Sequence, residues 1–116
     1  MTLVSNLLLS LGVPTRLNGY ALAREAILIM ARNPNYAITK ELYPAVAQAC
    51  HCKKDHVERS IRSAIQIAWK NRDEQVWKLY FRQEADGTMP RPSNGTFITR
   101  LADSLHISQT NGVQAE

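Results

Sequence analysis

The sequence contains only two cysteines, Cys50 and Cys52, and a single residue separates them. A disulfide at that spacing would be strained, so both are expected to be reduced thiols in a reducing compartment. No apolar run approaches the roughly 18 residues of a membrane span. The apolar stretch 3–13 has no basic segment before it and no small-residue cleavage site after it. We therefore expect a cytoplasmic protein without a membrane partner.

Motifs that carry catalysis are also absent. The sequence has no glycine-rich phosphate loop, no nucleophile elbow and no paired acid motif. The two cysteines lie beside His51 and near His56, and all four residues are of types that bind zinc. However, no second cysteine pair exists, and Cys50 is expected to face the core from a short helix. We therefore expect no enzyme activity, no cofactor and no metal.

The composition is that of a folded domain. The 116 residues suffice for one domain with a hydrophobic core of its own. Hydrophobic residues make up 45% of the chain and charged residues 21%, so disorder is not expected. The formal net charge is +4 and the pI is near 9.3, which is compatible with an anionic partner without proving one.

Apolar spacing predicts helices along the whole chain, and no stretch alternates as a strand would. The predicted helices are 2–11, 18–33, 44–50, 54–71, 72–81 and 93–107, and the tail 108–116 is expected to be frayed. Asn18 is expected to cap the second helix, and Thr39 to cap a short turn at 39–43. Pro44 suits the first position of the helix that follows. The predicted fold is all-α, with about six helices in a single domain.

Residues 44–70 fit a helix-turn-helix, in which a short helix, a turn of about three residues and a second helix cross closely. Ala47 is the small residue that the close crossing needs in the first helix. Val57 is the apolar residue needed early in the second helix. The turn residue His51 is expected to adopt a left-handed backbone conformation, which His tolerates better than most residues.

The second helix of this motif is expected to bury one face and expose another. The apolar face consists of Val57, Ile61, Ala64, Ile65 and Ala68. The side chains expected to project from the bundle are Lys53, Lys54, Asp55, Glu58, Arg59 and Arg62. Arginine can bind guanine bidentately, glutamate can accept from cytosine, and lysine can bind phosphate, so this face suits DNA reading. An ordinary solvated surface, with Glu58 and Arg62 as an i,i+4 ion pair, explains the same pattern.

Four aromatic residues lie close together on two neighbouring helices: Trp69, Trp77, Tyr80 and Phe81. Such a cluster could stack the bases of a single strand. Its spacing is more simply that of side chains packed in a core, and we expect the core.

Four stretches stand in a distinctive order and spacing: GYALAREAI, AITKELYPAVA, VERSIRSAIQIAW and RPSNGTFITRLADSL. Together they resemble the C-terminal DNA-binding domain of the stage-zero sporulation protein A family, the response regulators of endospore-forming Firmicutes. The resemblance covers about residues 7–107. It implies a six-helix effector domain with a recognition helix at about 54–70 that binds a box of the TGTCGAA kind. It also implies head-to-tail pairing on tandem boxes and contact with the RNA polymerase sigma subunit.

By position, the base-reading residues of that family fall on His56, Glu58 and Arg59, with Arg62 on the same face. The predicted DNA contacts are therefore His56, Glu58, Arg59 and Arg62 for bases and Lys53 and Lys54 for phosphates. The family has arginine at the position of His56, so one guanine contact is expected to be weaker here. The family has a threonine cap at the position of Lys53, and the lysine removes that capping oxygen.

Two further departures concern the last helix and the domain organisation. Thr96 stands three residues after Ser93, where a capping box would have a glutamate. The family's phosphorylated receiver domain is not found, so we expect a free-standing effector domain, with a fragment of a longer regulator as the alternative. Such a domain is expected to be monomeric in solution and to pair only on DNA.

The alternative function is an interaction module that pairs with a full-length regulator or the sigma subunit without binding specific DNA itself.

Overall fold

The described part of the chain is helical from end to end. The structure, a computed structural model, describes the backbone of residues 3–115 and the side chains of residues 3–105. Its helices are α1 (Leu3–Ser10), α2 (Asn18–Arg32), a π-helical turn (Ile38–Leu42), α3 (Tyr43–Ala49), α4 (Lys54–Lys70), α5 (Glu74–Trp77) and α6 (Asn94–Ala115). The prediction of an all-α fold with about six helices is confirmed. Among the described helices, none is both long and apolar enough to cross a membrane.

Two predicted helix caps are wrong. Asn18 is the first helical residue of α2, and Leu17 occupies the cap position without a side-chain hydrogen bond. The reason is a preceding backbone turn, in which the Leu17 N–H donates to the Pro14 carbonyl at 3.2 Å and brings Leu17 to the helix start. Thr39 lies inside the π-helical turn, and the Glu41 carboxylate instead accepts the Ala37 N–H at 2.8 Å.

The π-helical turn lies immediately before Pro44, the second residue of α3. Proline has no N–H to donate to the carbonyl four residues earlier, so a regular α-helix cannot continue through this point. The wider turn lets the Ala37 carbonyl accept from both Glu41 and Leu42, each at 2.9 Å. Helix α3 therefore begins at Tyr43, one residue before the predicted start at Pro44.

Two helices differ in length from the prediction. Helix α5 is shorter than the predicted 72–81 at both ends. The Asp73 carboxylate accepts the Gln75 N–H at 2.9 Å and starts the helix at Glu74. The helix ends at Trp77, where the Leu79 and Tyr80 N–H groups make turn bonds to the Val76 and Trp77 carbonyls, each at 3.1 Å. Helix α6 starts as predicted, with the Ser93 hydroxyl accepting the Thr96 N–H at 3.2 Å. The backbone of α6 is helical to Ala115, beyond the predicted end near 107. The tail predicted to fray, 108–116, lies outside the residues whose side chains are described.

The core surrounds α2, which packs against both α4 and α6. Trp77 and Phe81 are buried, and their rings lie 6.1 and 5.7 Å from that of Phe97 on α6. The Trp77 indole N–H donates to the Leu11 carbonyl at 3.1 Å, so the largest buried side chain leaves no unpaired donor. Trp69 lies half-buried at the edge of the cluster, with the Arg72 guanidinium 3.7 Å from its ring centroid. Of the four predicted core aromatics, Trp77 and Phe81 are therefore in the core, and Trp69 and Tyr80 pack half-buried against it.

Helices α2 and α4 make their closest approach at Gly19. A Cβ atom at this position would lie 2.2 Å from the Ser60 carbonyl oxygen and 2.6 Å from the Ala64 Cβ. No real side chain fits these distances, so only glycine lets the two backbones come this close. This contact holds the middle of α4 against α2 and leaves its opposite face exposed.

Candidate nucleic-acid interface

Helices α3 and α4 form the predicted helix-turn-helix. His51, in the connection between them, has a φ of +56°, which confirms the predicted left-handed conformation. The Cys52 N–H donates to the Ala47 carbonyl at 2.9 Å and ends the first helix of the motif. Ala47 and Val57 are both buried, as the close crossing requires. The turn geometry therefore follows from the local sequence.

The start of α4 lacks a side-chain cap. Lys53 occupies the cap position with an extended backbone, and its side chain makes no capping hydrogen bond. Lys53 and Lys54 are both exposed, so two ammonium groups stand beside the first free N–H groups of the helix. Two cations are electrostatically unfavourable at this end of the isolated helix, which carries a partial positive charge, and Asp55 is the acidic residue of the first turn that counters them. This arrangement suits a helix whose beginning approaches an anionic polymer.

Four of the predicted DNA contacts line one concave surface. This surface, named here the recognition cleft, is lined by Thr39, Tyr43, Lys54, Asp55, Glu58, Arg59 and Arg62. The side chain of Glu58 retains 34% of its exposure and that of Arg62 retains 52%. The cleft therefore presents carboxylate, guanidinium and ammonium groups that water or a ligand can reach.

Glu58 and Arg62 form an ion pair along α4, as the solvated-surface interpretation also predicted. An exposed i,i+4 pair of this kind stabilises a helix by only about 0.3–0.5 kcal/mol. Arg59 is held more loosely, because its Nε donates to the Asp55 carbonyl at a long 3.4 Å. The other N–H groups of Arg59 have no acceptor among the described residues. These weak internal contacts leave both guanidinium groups free to exchange partners.

The structure separates His56 from the recognition cleft. The His56 ring is half-buried on the flank of α4 that faces the start of α2, with its nitrogens 3.4 Å from the Ser60 hydroxyl. It lines a second, neighbouring depression with Asn18, Ser63 and Arg59, among others. Arg59 thus lies between the two depressions, and Lys53 is not part of the cleft lining. Of the six predicted residues, Lys54, Glu58, Arg59 and Arg62 come together.

The sequence prediction missed Tyr43 and Asn94. The Asn94 side-chain amide donates to the Tyr43 hydroxyl oxygen at 3.1 Å and to the Glu58 carbonyl at 3.0 Å. Burial raises the pKa of the Tyr43 phenol above its usual value, although the hydrogen bond from Asn94 acts in the opposite direction. Tyr43 is therefore neutral at physiological pH. Asn94 lies 36 residues from Glu58 along the chain, so no local spacing could indicate this contact.

The cysteines of the turn are both free and half-buried. Burial raises the pKa of the Cys50 thiol, and the nearby Glu25 carboxylate raises it further. The thiol of Cys50 therefore stays protonated near neutral pH in the absence of a metal. In the part of the chain that the structure describes, no three His, Cys, Asp or Glu side chains group as a metal ion would require.

Comparison with known protein families agrees with this geometry. The family described as "Sporulation initiation factor Spo0A C terminal" matches residues 4–105, nearly the whole chain. The match begins in α1 and ends in α6, and it includes both helices of the helix-turn-helix. The resemblance found in the sequence is thereby confirmed.

Proposed function

The chain belongs to the family of the C-terminal domain of the sporulation initiation factor Spo0A, and we propose that it is a transcription regulator that binds specific double-stranded DNA. The family is one of DNA-binding effector domains of sporulation regulators. One structural observation supports the proposal that this DNA binding is sequence-specific. Lys54, Glu58, Arg59 and Arg62 share one accessible cleft on the second helix of a helix-turn-helix.

The spacing of these residues matches the groove of a duplex. Lys54, Glu58 and Arg62 are four residues apart, so they form one row that extends about 12 Å along α4. That length corresponds to about three or four base pairs. In the proposed complex, Arg59 and Arg62 donate to guanine, Glu58 accepts from cytosine, and Lys54 binds a phosphate. The Glu58–Arg62 pair is weak enough to reorient when the bases provide new partners.

His56 and Lys53 complete the proposed interface from its edges. His56 donates to a base acceptor or a phosphate from the second depression, and Lys53 binds a phosphate at the start of α4. The preferred site resembles a TGTCGAA box, with an altered preference at the base pair nearest His56. The whole chain acts as one DNA-binding domain in this proposal, without enzyme activity.

The proposed partners follow from the same resemblance. The domain is a monomer in solution and pairs head to tail with a second copy on tandem boxes. It contacts the RNA polymerase sigma subunit when bound at a promoter. We place this activity in the cytoplasm, away from any membrane.

A fluorescence anisotropy titration tests the proposal directly. The protein is added to a labelled duplex with two tandem TGTCGAA-like boxes and, separately, to a scrambled duplex of the same composition. We expect the box duplex to bind roughly a thousandfold more tightly, which is the low end of the range for specific regulators. Equal affinity for both duplexes would contradict sequence-specific reading. Absence of binding to either duplex, even at low salt, would favour the interaction module instead.

A further inference from the structure

A single side-chain amide connects three helices behind the recognition cleft. Asn94 is the first residue of α6, and its Nδ2 lies 3.1 Å from the Tyr43 hydroxyl on α3 and 3.0 Å from the Glu58 carbonyl on α4. These two contacts are named here the Asn94 bridge. The bridge therefore links α6 to both helices of the helix-turn-helix.

The donor and acceptor roles in the bridge are determined by its chemistry. The Glu58 carbonyl can only accept, so the Asn94 amide must point its NH₂ group, and not its oxygen, toward α4. The same NH₂ group has a second hydrogen, which the Tyr43 hydroxyl oxygen accepts. Both amide hydrogens are thus used, and the Glu58 carbonyl accepts a second bond in addition to the one within α4.

The bridge is partly shielded from water. Tyr43 is only 6% exposed and Asn94 is half-buried, although both border surface depressions. Hydrogen bonds in such surroundings hold a tighter geometry than bonds at an open surface, because water competes less for the same groups. On the exposed side of the same helical turn, Glu58 and Arg62 have only their weak ion pair to orient them. The position of these two side chains is therefore set by the backbone that the bridge holds.

We propose that Asn94 is a positioning residue for DNA recognition. Its bridge fixes the rotation and depth of the α4 turn that carries Glu58 and Arg62, and so sets the specificity at the base pairs which these two residues read. Arg59 also lines the cleft, but it extends to the second depression, which Asn94 does not border, so its readout depends less on the bridge than that of Glu58 and Arg62. This inference rests on the proposed function.

The test compares Asn94→Ala with a matched control, Ser93→Ala. Ser93 caps the same end of α6, but its hydroxyl contacts only Thr96 and reaches neither α3 nor α4. Ser93→Ala removes the cap of α6 and keeps the bridge, whereas Asn94→Ala removes the bridge and keeps the cap. A third variant, Tyr43→Phe, removes one of the two acceptors and keeps the bond to Glu58.

The measurement is the affinity of each protein for the preferred site and for every single-base-pair variant of it. The variants Glu58→Gln and Arg59→Ala first identify the base pairs that each residue reads. We expect Asn94→Ala to lower discrimination about threefold to tenfold at the Glu58 base pair. We expect a smaller loss of discrimination at the Arg59 base pair and an unchanged salt dependence of binding. Ser93→Ala leaves the whole profile unchanged, and Tyr43→Phe gives a smaller loss than Asn94→Ala.

A DNA-free measurement accompanies the titrations. Amide hydrogen exchange at Arg62, whose N–H is bonded to the Glu58 carbonyl, should be faster in Asn94→Ala than in Ser93→Ala. Should Asn94→Ala fail to fold, Asn94→Leu fills a similar volume without donors and replaces it. An unchanged base-pair profile in a folded Asn94 variant, or an equal loss at every base pair, overturns this inference alone. A wild-type protein without sequence preference overturns the proposed function and the inference with it.

Discussion

At the scale of single residues, Arg59 is the side chain best placed to read a base. It is exposed on α4, its one internal hydrogen bond is long at 3.4 Å, and it borders both depressions of the interface. A guanidinium without strong internal partners loses little when it binds guanine, because few protein contacts must break first. We therefore expect Arg59 to contribute more to the affinity for the preferred site than to the affinity for other sequences.

Arg59→Ala should weaken binding to the preferred site by about 1–3 kcal/mol and relax discrimination at one base pair. The physical reason is the loss of a bidentate contact to a base edge, which random DNA does not provide in the bound register. Anisotropy titrations on the preferred site, its single-base variants and scrambled DNA measure both effects. An equal loss on specific and scrambled DNA would show that Arg59 binds only the phosphate backbone.

Lys54→Ala should behave differently, although Lys54 lines the same cleft. An ammonium group that neutralises a phosphate contributes equally on every sequence and releases a counterion on binding. We expect similar weakening on all duplexes and a decrease of about one unit in the slope of log affinity against log salt. Titrations at four salt concentrations give this slope. A loss confined to the preferred site would assign Lys54 to base reading instead.

Lys53→Ser should stabilise the free protein and weaken its complex with DNA. The serine hydroxyl oxygen can accept a free N–H at the uncapped start of α4, which adds about 1 kcal/mol to the free energy of unfolding. Chemical denaturation measures this change, and titration of scrambled DNA measures the lost phosphate contact. Lys53→Ala is the control, because it removes the same charge at the same position without adding a capping oxygen. If both variants changed stability equally, the missing cap would not limit α4.

At the scale of helices, the crossing of α2 and α4 holds the middle of the recognition helix in place. Gly19→Ala places a methyl group 2.2 Å from the Ser60 carbonyl oxygen, so the two backbones must separate. We expect a loss of at least about 2 kcal/mol in the free energy of unfolding, and weaker DNA binding in the fraction that stays folded. Thermal and chemical denaturation measure the loss.

Gly95→Ala is the matched control for this prediction. Gly95 is the second residue of α6, as Gly19 is of α2, and its added Cβ would meet only Ile38 Cγ1 at an ordinary 3.6 Å. Without a clash, alanine favours the helix by about 0.5–1 kcal/mol, so this variant should be stabilised. The same substitution is therefore expected to change stability in opposite directions at the two sites. Similar losses at both would show that the crossing tolerates more separation than its distances indicate.

The helices also show which features the sequence could predict. Apolar spacing predicted α4 within one residue, and the left-handed His51 followed from the turn of the motif, because both depend on neighbouring residues. The caps at Asn18 and Thr39 were wrong, because the backbone turn at Leu17 and the Glu41 carboxylate occupy those roles. Local propensity does not show which of several polar side chains a turn will use.

Some features of the candidate site could also be predicted from the sequence, and others could not. Lys54, Glu58 and Arg62 were predicted together because residues four apart on a helix share a face whatever the rest of the fold does. His56 stands two residues before Glu58, and residues two apart on a helix do not face the same way, so the sequence alone could have separated it from the cleft. Its burial depends on how closely α2 approaches at Gly19, and the role of Asn94 depends on α6 meeting α4 in space. These two features required tertiary structure.

At the scale of the whole molecule, the surface offers little for self-association in the absence of DNA. Among the residues whose side chains are described, the large apolar side chains that remain exposed are Leu3, Leu9 and Leu79. Scattered apolar residues of this kind are normal on monomers. The formal net charge of +4 adds a weak repulsion between copies. A stable interface needs about 800 Å² from each partner, mostly apolar at its centre.

We therefore expect the protein to be monomeric at micromolar concentration and to pair only on tandem DNA sites. DNA neutralises the positive charge and holds two copies side by side, so a small polar contact then suffices for cooperativity. Sedimentation velocity of the free protein should give a single monomer peak. A tight dimer at micromolar concentration would contradict this prediction.

Cooperative binding to two boxes should depend on their spacing. Each box fixes the rotation of its bound copy about the DNA axis, so insertion of about five base pairs turns the second copy to the opposite face of the duplex. The contact between copies is then lost, and each box should bind with its single-site affinity. Insertion of a full turn, about ten base pairs, is the control, because it returns the second copy to the same face of the duplex and changes only the distance between the copies. Cooperativity that persists at the half-turn spacing, or equal affinity at every spacing, would show that the two copies do not touch on DNA.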